Sequence, residues 1–159
     1  MQEGLLWLKR RRKKQILCEE FVRELHRKLF GEVWRWAGIF RQTEKNIGID
    51  PIYIGEHLKL LLDDAAYWAD NETYVPIEAA ARLHHRLVQI HCFANGNGRH
   101  ARIMADIYLK ECFTHAPIDW SAGHDLMGSN ECCNAYIAAL RSADANDYRP
   151  LLSFVGLEI

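Results

Sequence analysis

Residues 90–106 read IHCFANGNGRHARIMAD, breaking two apolar helical patterns with histidine, asparagine, glycine and arginine. The segment before it, PIEAAARLHHRLVQI (76–90), opens on a proline, which suits a first helical position. It then repeats Ala79, Leu83, Leu87 and Ile90 along one side. The segment after it supplies Ile103, Met104, Ile107 and Tyr108 for a second core face. Two helices therefore meet at this run. Gly96 and Gly98 permit positive φ and close backbone approach, so successive N–H groups of residues 96–98 can face one oxyanion. The start of the second helix adds unpaired donors and a dipole that favours negative charge. Arg99 and Arg102, three residues apart, can both reach back to a polyphosphate. A tight turn brings His91 beside that anion, where an imidazole can take a proton from a hydroxyl. Asn95 offers an amide oxygen to a Mg²⁺ bridging phosphates.

Other phosphate motifs do not fit. No Gly-Lys-Ser/Thr follows, so this is not a Walker loop. A helix rather than a strand precedes it, which excludes the dinucleotide fingerprint. His84, His85, His91 and His100 lack the His-Glu-x-x-His spacing of a zinc site. Cys92 lies next to His91, but adjacent side chains rarely aim at each other, so a buried, inert thiol is expected.

The 159 residues suit one domain with a real core. No run of apolar residues is long enough to span a membrane, and the first fourteen residues carry their charges after their apolar residues, the reverse of a secretory signal. Five cysteines with no Cys-x-x-Cys spacing point to reduced thiols in a cytoplasm. Charge is uneven: residues 1–50 hold twelve Lys/Arg against seven Asp/Glu, mostly through Lys9-Arg10-Arg11-Arg12-Lys13-Lys14. Without interleaved aromatics this block reads as a solvated helix end rather than a nucleic-acid site. EEFVRELHRKLF (19–30) places Phe21, Val22, Leu25 and Leu29 on one face, with Gly31 as its stop. A helix starts just after Pro51, another covers NECCNAYIAALRSA, and YRPLLSFVGL ends the chain. GIFRQTEKNIGID (38–50) alternates Ile39 and Arg41 before a polar turn, then Ile47 and Ile49, which predicts a small β-hairpin. Trp34 and Trp36 are expected as anchors beneath it. The fold class is all-α, a helical bundle carrying that hairpin.

His91-Cys92-Phe93-Ala94-Asn95-Gly96-Asn97-Gly98-Arg99-His100-Ala101-Arg102 resembles the Fic family signature, His-Pro-Phe-x-Asp/Glu-Gly-Asn-Gly-Arg-x-x-Arg. LHRKLFGEVWRWAGIFR (25–41) resembles the segment ahead of that family's target-docking hairpin, the flap. AYIAALRSADANDYRPLLSFV resembles its closing helices. The likeness runs from about Arg23 to the end, as one domain over 1–159, and is especially similar to a bacterial subfamily labelled mobile mystery protein B.

The resemblance implies a mostly helical enzyme that transfers AMP from ATP to a Tyr, Thr or Ser hydroxyl of a target protein. His91 would be the general base and Phe93 a core anchor. Gly96, Asn97 and Gly98, with Arg99 beside them, would hold the α- and β-phosphates, and Arg102 the γ-phosphate. Lys45, Asn46, Ile47 and Gly48 would form the flap over the nucleotide, Tyr136 would flank the adenine, and Asp144 falls where relatives often carry an Asn near the base. Asn95 stands where the family has Asp or Glu as Mg²⁺ ligand, so an active but slower enzyme is expected. Some relatives transfer phosphate or phosphocholine, and a degenerate binding module is the third alternative. The inhibitory pattern Ser/Thr-x-x-x-Glu-Gly/Asn does not occur here. Control then falls to a separate, antitoxin-like protein, or to upstream residues if the N-terminus is truncated.

Overall fold

Pro76–Ile90 forms the helix around which most others pack, and its composition explains why. Ala79, Ala80 and Ala81 are all buried, and these small side chains let neighbouring helices approach on more than one side. Leu83, Leu87 and Ile90 then fill the core, each worth about 1.5–3 kcal/mol of apolar burial. The structure, a computed structural model, describes residues 1–12, 15–121 and 130–157, and the side chains of 130–132 are also outside the description.

In chain order the helices are α1 (Gln2–Arg10), α2 (Glu19–Phe30), α3 (Ile54–Asp70), α4 (Pro76–Ile90), α5 (Asn97–Phe113), α6 (Asn130–Asp144) and α7 (Arg149–Phe154). A 3₁₀ turn, Pro51–Tyr53, leads into α3, capped by the Asp50 side chain accepting the Ile52 N–H at 3.0 Å. α4 packs on α3, α5, α6 and α7, while α2 closes the other side against α1, α3 and α5. The Tyr108 hydroxyl of α5 donates to the Ala65 carbonyl of α3 at 2.6 Å, so its burial leaves no polar group unpaired.

Two expectations change. The hairpin predicted over 38–50 is absent: no strand forms among the described residues, and 42–49 run as bends and irregular backbone. Ile39 and Ile47 are exposed, so the alternation does not mark a buried face. A ladder needs facing carbonyls and N–H groups, but the Thr43 and Ile49 carbonyls turn onto the guanidinium of Arg41 instead. The basic block is also not wholly solvated. Arg11 turns inward, pairs with Glu111 of α5 and lies 4.8 Å over the Phe21 ring. Lys13 and Lys14 lie outside the described residues. No helix among the described residues is long and apolar enough to cross a membrane.

Candidate active site

α4 ends and α5 begins across a six-residue turn, and its backbone is unusual at both edges. His91 caps α4 with φ 56° and ψ 61°, a left-handed conformation that a β-carbon disfavours by about 1–2 kcal/mol. Gly96 caps the start of α5 with φ 80°. A β-carbon there would stand 2.9 Å from Phe30 and 3.1 Å from Trp34, so glycine is required twice over.

Between these edges the turn is fixed by side chains. Asn97 lies buried and closes it with two bonds: the Phe93 N–H donates to its Oδ1 at 2.9 Å, and its Nδ2 donates to the Phe93 carbonyl at 2.7 Å. Phe93 is wholly buried and stacks on His26 at 3.7 Å between ring centroids. His26 in turn donates from Nε2 to the Asn95 carbonyl at 3.0 Å and accepts the Gly38 N–H on Nδ1 at 3.0 Å. Burial pushes His26 down to about 4, so it stays in the neutral form this pattern requires.

The start of α5 leaves the Asn97, Gly98 and Arg99 N–H groups without a backbone acceptor among the described residues; the His100 N–H takes the Gly96 carbonyl at 2.9 Å. The Gly96 N–H donates to its neighbour Asn95 Oδ1 at 2.7 Å. The free donors are therefore those of 97–99, one residue further on than the glycine count suggests. A β-carbon at Gly98 would meet nothing within 4 Å, and its φ is not positive. Gly98→Ala is accordingly expected to stabilise the fold by up to about 1 kcal/mol through helix propensity, yet to weaken polyphosphate binding by crowding those amides. Gly96→Ala should cost about 3 kcal/mol from strain and clash. Thermal melts and ATP titration of both variants separate the two glycines, and equal behaviour would contradict this geometry.

These donors open on a cleft of about 1130 Å³. His91, residues 95–99 and Arg102 line it from the α4–α5 corner, Tyr136 and Asp144 from α6, and Asn46, Ile47 and Gly48 from the flap. Lys45 is not among the lining residues, though its charge reaches His91. Arg99 lies 4.8 Å over Phe30 and Arg102 5.8 Å over Tyr136, both held by aromatic faces. Asp144 accepts on Oδ1 from His85 at 2.9 Å and from Gln89 at 3.3 Å, so its carboxylate is tied to α4 side chains rather than to His91. His85 is completed by the Tyr148 hydroxyl at 2.9 Å. Tyr136 shares a 2.8 Å hydrogen bond with His84.

His91 itself is lowered below the ordinary value of 6.5, first by burial, then by the nearby Arg41 charge, with Lys45 adding to it. The Val88 carbonyl nearby pulls it partly back, without closing a hydrogen bond. Its Nδ1 is buried and has no partner among the described residues. A neutral imidazole facing an anion-binding helix start can accept a proton. Cys92 behaves as expected: burial pushes its thiol up to about 12, so no thiolate forms beside the histidine.

Residues 16–109 match the model of the Fic/DOC family. The chain belongs to the Fic/DOC family. It is 31% identical over 142 residues to the protein adenylyltransferase fic-1 of Caenorhabditis elegans, covering 84% of this chain and 25% of that protein. It is 30% identical over 148 residues to the protein adenylyltransferase Fic of Nematostella vectensis, covering 90% and 32%. The chain thus spans about a quarter to a third of the curated relatives it matches. Among solved structures it superposes on Fic-1 (residues 134–508) of C. elegans with TM-score 0.75 and 27% identity, over 97% of this chain and 45% of that one. The N-terminal FIC domain of Bep8 from Bartonella sp. 1-1C shares the fold, with TM-score 0.73 at 19% identity over 97% and 78% of the two chains.

Sequence reasoning overlooked the polar side chains that hold this Fic/DOC site together. The sequence pattern offers His84 and His85 only as metal-ligand candidates, His26 in no role, and Arg41 only as one position in an alternating pattern. The missing signal is long-range: His26 and Asn95 are 69 residues apart.

Proposed function

We propose that this chain transfers AMP from ATP to a hydroxyl side chain of a target protein. One observation carries the reading: a neutral histidine and the free amides of a helix start share one cleft with Arg99 and Arg102. In the reaction, the target hydroxyl oxygen bonds to the α-phosphorus, the bond to the β-phosphate oxygen breaks, and pyrophosphate leaves. The hydroxyl proton passes to His91. The amides of 97–99 take the α- and β-phosphates, Arg102 the γ-phosphate, and Tyr136 the adenine. Residues 45–48 cover the nucleotide and dock the target. The names of the animal relatives support adenylyl transfer. The finer placing, with the bacterial subfamily labelled mobile mystery protein B and an antitoxin-like inhibitory protein, rests on sequence resemblance.

The cleft suits Mg²⁺ held mainly by the nucleotide. Asn95 is exposed, and its Oδ1 accepts one N–H, leaving a second lone pair for the ion. Magnesium would neutralise phosphate charge there. Asn95→Asp keeps the acceptor for Gly96 and adds a charge, so half-saturation by Mg²⁺ should fall about tenfold. An unchanged magnesium dependence would remove Asn95 from the metal's neighbourhood.

The deciding experiment incubates cell lysate and ATP, labelled separately at the α- and γ-phosphates, with the parent chain and His91→Ala. Protein label from the α-position that vanishes in the variant supports AMP transfer. Label from the γ-position alone points to a phosphotransferase, and no label from either overturns the reading.

A further inference from the structure

Among the described residues, Arg41 is the cation whose setting is most unusual. It is 5% exposed, yet among the described residues no carboxylate pairs with it. A buried charge needs its hydrogen bonds met, and here main-chain carbonyls meet them. Nε donates to the His91 carbonyl at 2.6 Å, Nη1 to Thr43 at 3.0 Å, and Nη2 to Ile49 and, at 3.3 Å, to Ile90. Its own N–H donates to the Cys92 carbonyl at 2.9 Å. Two of these acceptors are the Ile90 carbonyl that ends α4 and the His91 carbonyl of its cap, where the helix dipole favours a cation. The other two stand on opposite arms of the flap.

Gly48 completes the knot. At φ 96° it sits so close that a β-carbon would lie 2.7 Å from both Arg41 Nη2 and His91 Cβ. The flap therefore rests directly on the histidine, and the guanidinium fastens both from beneath. We propose that Arg41 is the positioning residue of the reaction, acting through its carbonyl bonds to hold His91 and the flap as one rigid unit. This rests on the adenylyl-transfer reading for its catalytic consequence, but not for its structural one. Only a planar fork reaches three backbone segments at once; a lysine has the charge but one point of attachment. His91 keeps its left-handed backbone while its own carbonyl is anchored this way.

The test uses the full chain with Arg41→Lys, Arg41→Met and, from the other side of the knot, Gly48→Ala. Three quantities are read: hydrogen exchange of the 42–50 amides, ATP affinity by calorimetry, and α-label transfer in lysate at saturating ATP. Arg41→Lys and Gly48→Ala should speed flap exchange at least about tenfold and cut transfer at least about thirtyfold, with the ATP affinity of Arg41→Lys within about threefold of the parent. Parent-like flap exchange in both variants overturns the proposal. So does loss of transfer that only tracks loss of ATP binding, or unfolding of Arg41→Met while Arg41→Lys behaves as the parent. If the parent transfers no α-label, the reaction assigned above fails while flap exchange still decides what Arg41 holds.

Discussion

Acidification from pH 7 to pH 5 should unfold the protein. His84 and His100 are buried and pushed down to about 3, and His26 to about 4, each chiefly by burial. Their unfolded value is near 6.5, so below that pH the unfolded chain binds protons that the folded chain refuses. Stability is fully present above 6.5 and falls as pH drops toward the folded values. At pH 5 each histidine costs about 2 kcal/mol, and the three together about 6, comparable to the whole stability of a typical domain. Tryptophan fluorescence against pH should show a cooperative transition near pH 5. His100→Gln, whose amide can still donate to the Val22 carbonyl that His100 holds at 3.0 Å, should move it to lower pH. A parent midpoint below pH 3.5 would mean that these histidines do not set acid stability.

Transfer of α-label should drop about a thousandfold in His91→Ala, with ATP affinity little changed, because a general base acts only in the transition state. The pH profile of the parent gives an independent check. Burial and the Arg41 charge lower His91, so the base remains neutral at and above 6.5 and is lost only as pH falls below that value. The rate should therefore be level on the alkaline side and bend below 6.5, measured per folded molecule and above the unfolding midpoint. An acid limb at or above 6.5, or a variant as fast as the parent, would place the base elsewhere.

What could be read beforehand follows the range of the interactions. The face of α2 was legible because Phe21, Val22, Leu25 and Leu29 recur at helical spacing, and the start of α4 because Pro76 announces it. The α4–α5 corner was legible because its glycines, arginines and histidine lie within twelve residues. Asn97 was counted among the phosphate ligands, but its side chain is spent closing the turn, leaving its backbone N–H for the anion. Alternation from Ile39 to Ile49 suggested strands, yet local pattern cannot show that a guanidinium takes the carbonyls a ladder would use. Trp34 and Trp36, expected beneath the hairpin, stack on each other at 4.7 Å, and Trp34 lies under Gly96 of the α4–α5 turn instead.

The amide of Asn97, bonded both ways to Phe93, has a kinetic consequence. A turn already closed before the nucleotide arrives owes no ordering entropy on binding, and every molecule in solution is competent. Association should then follow a single exponential whose rate rises linearly with ATP concentration, without the plateau that a waiting conformational step imposes.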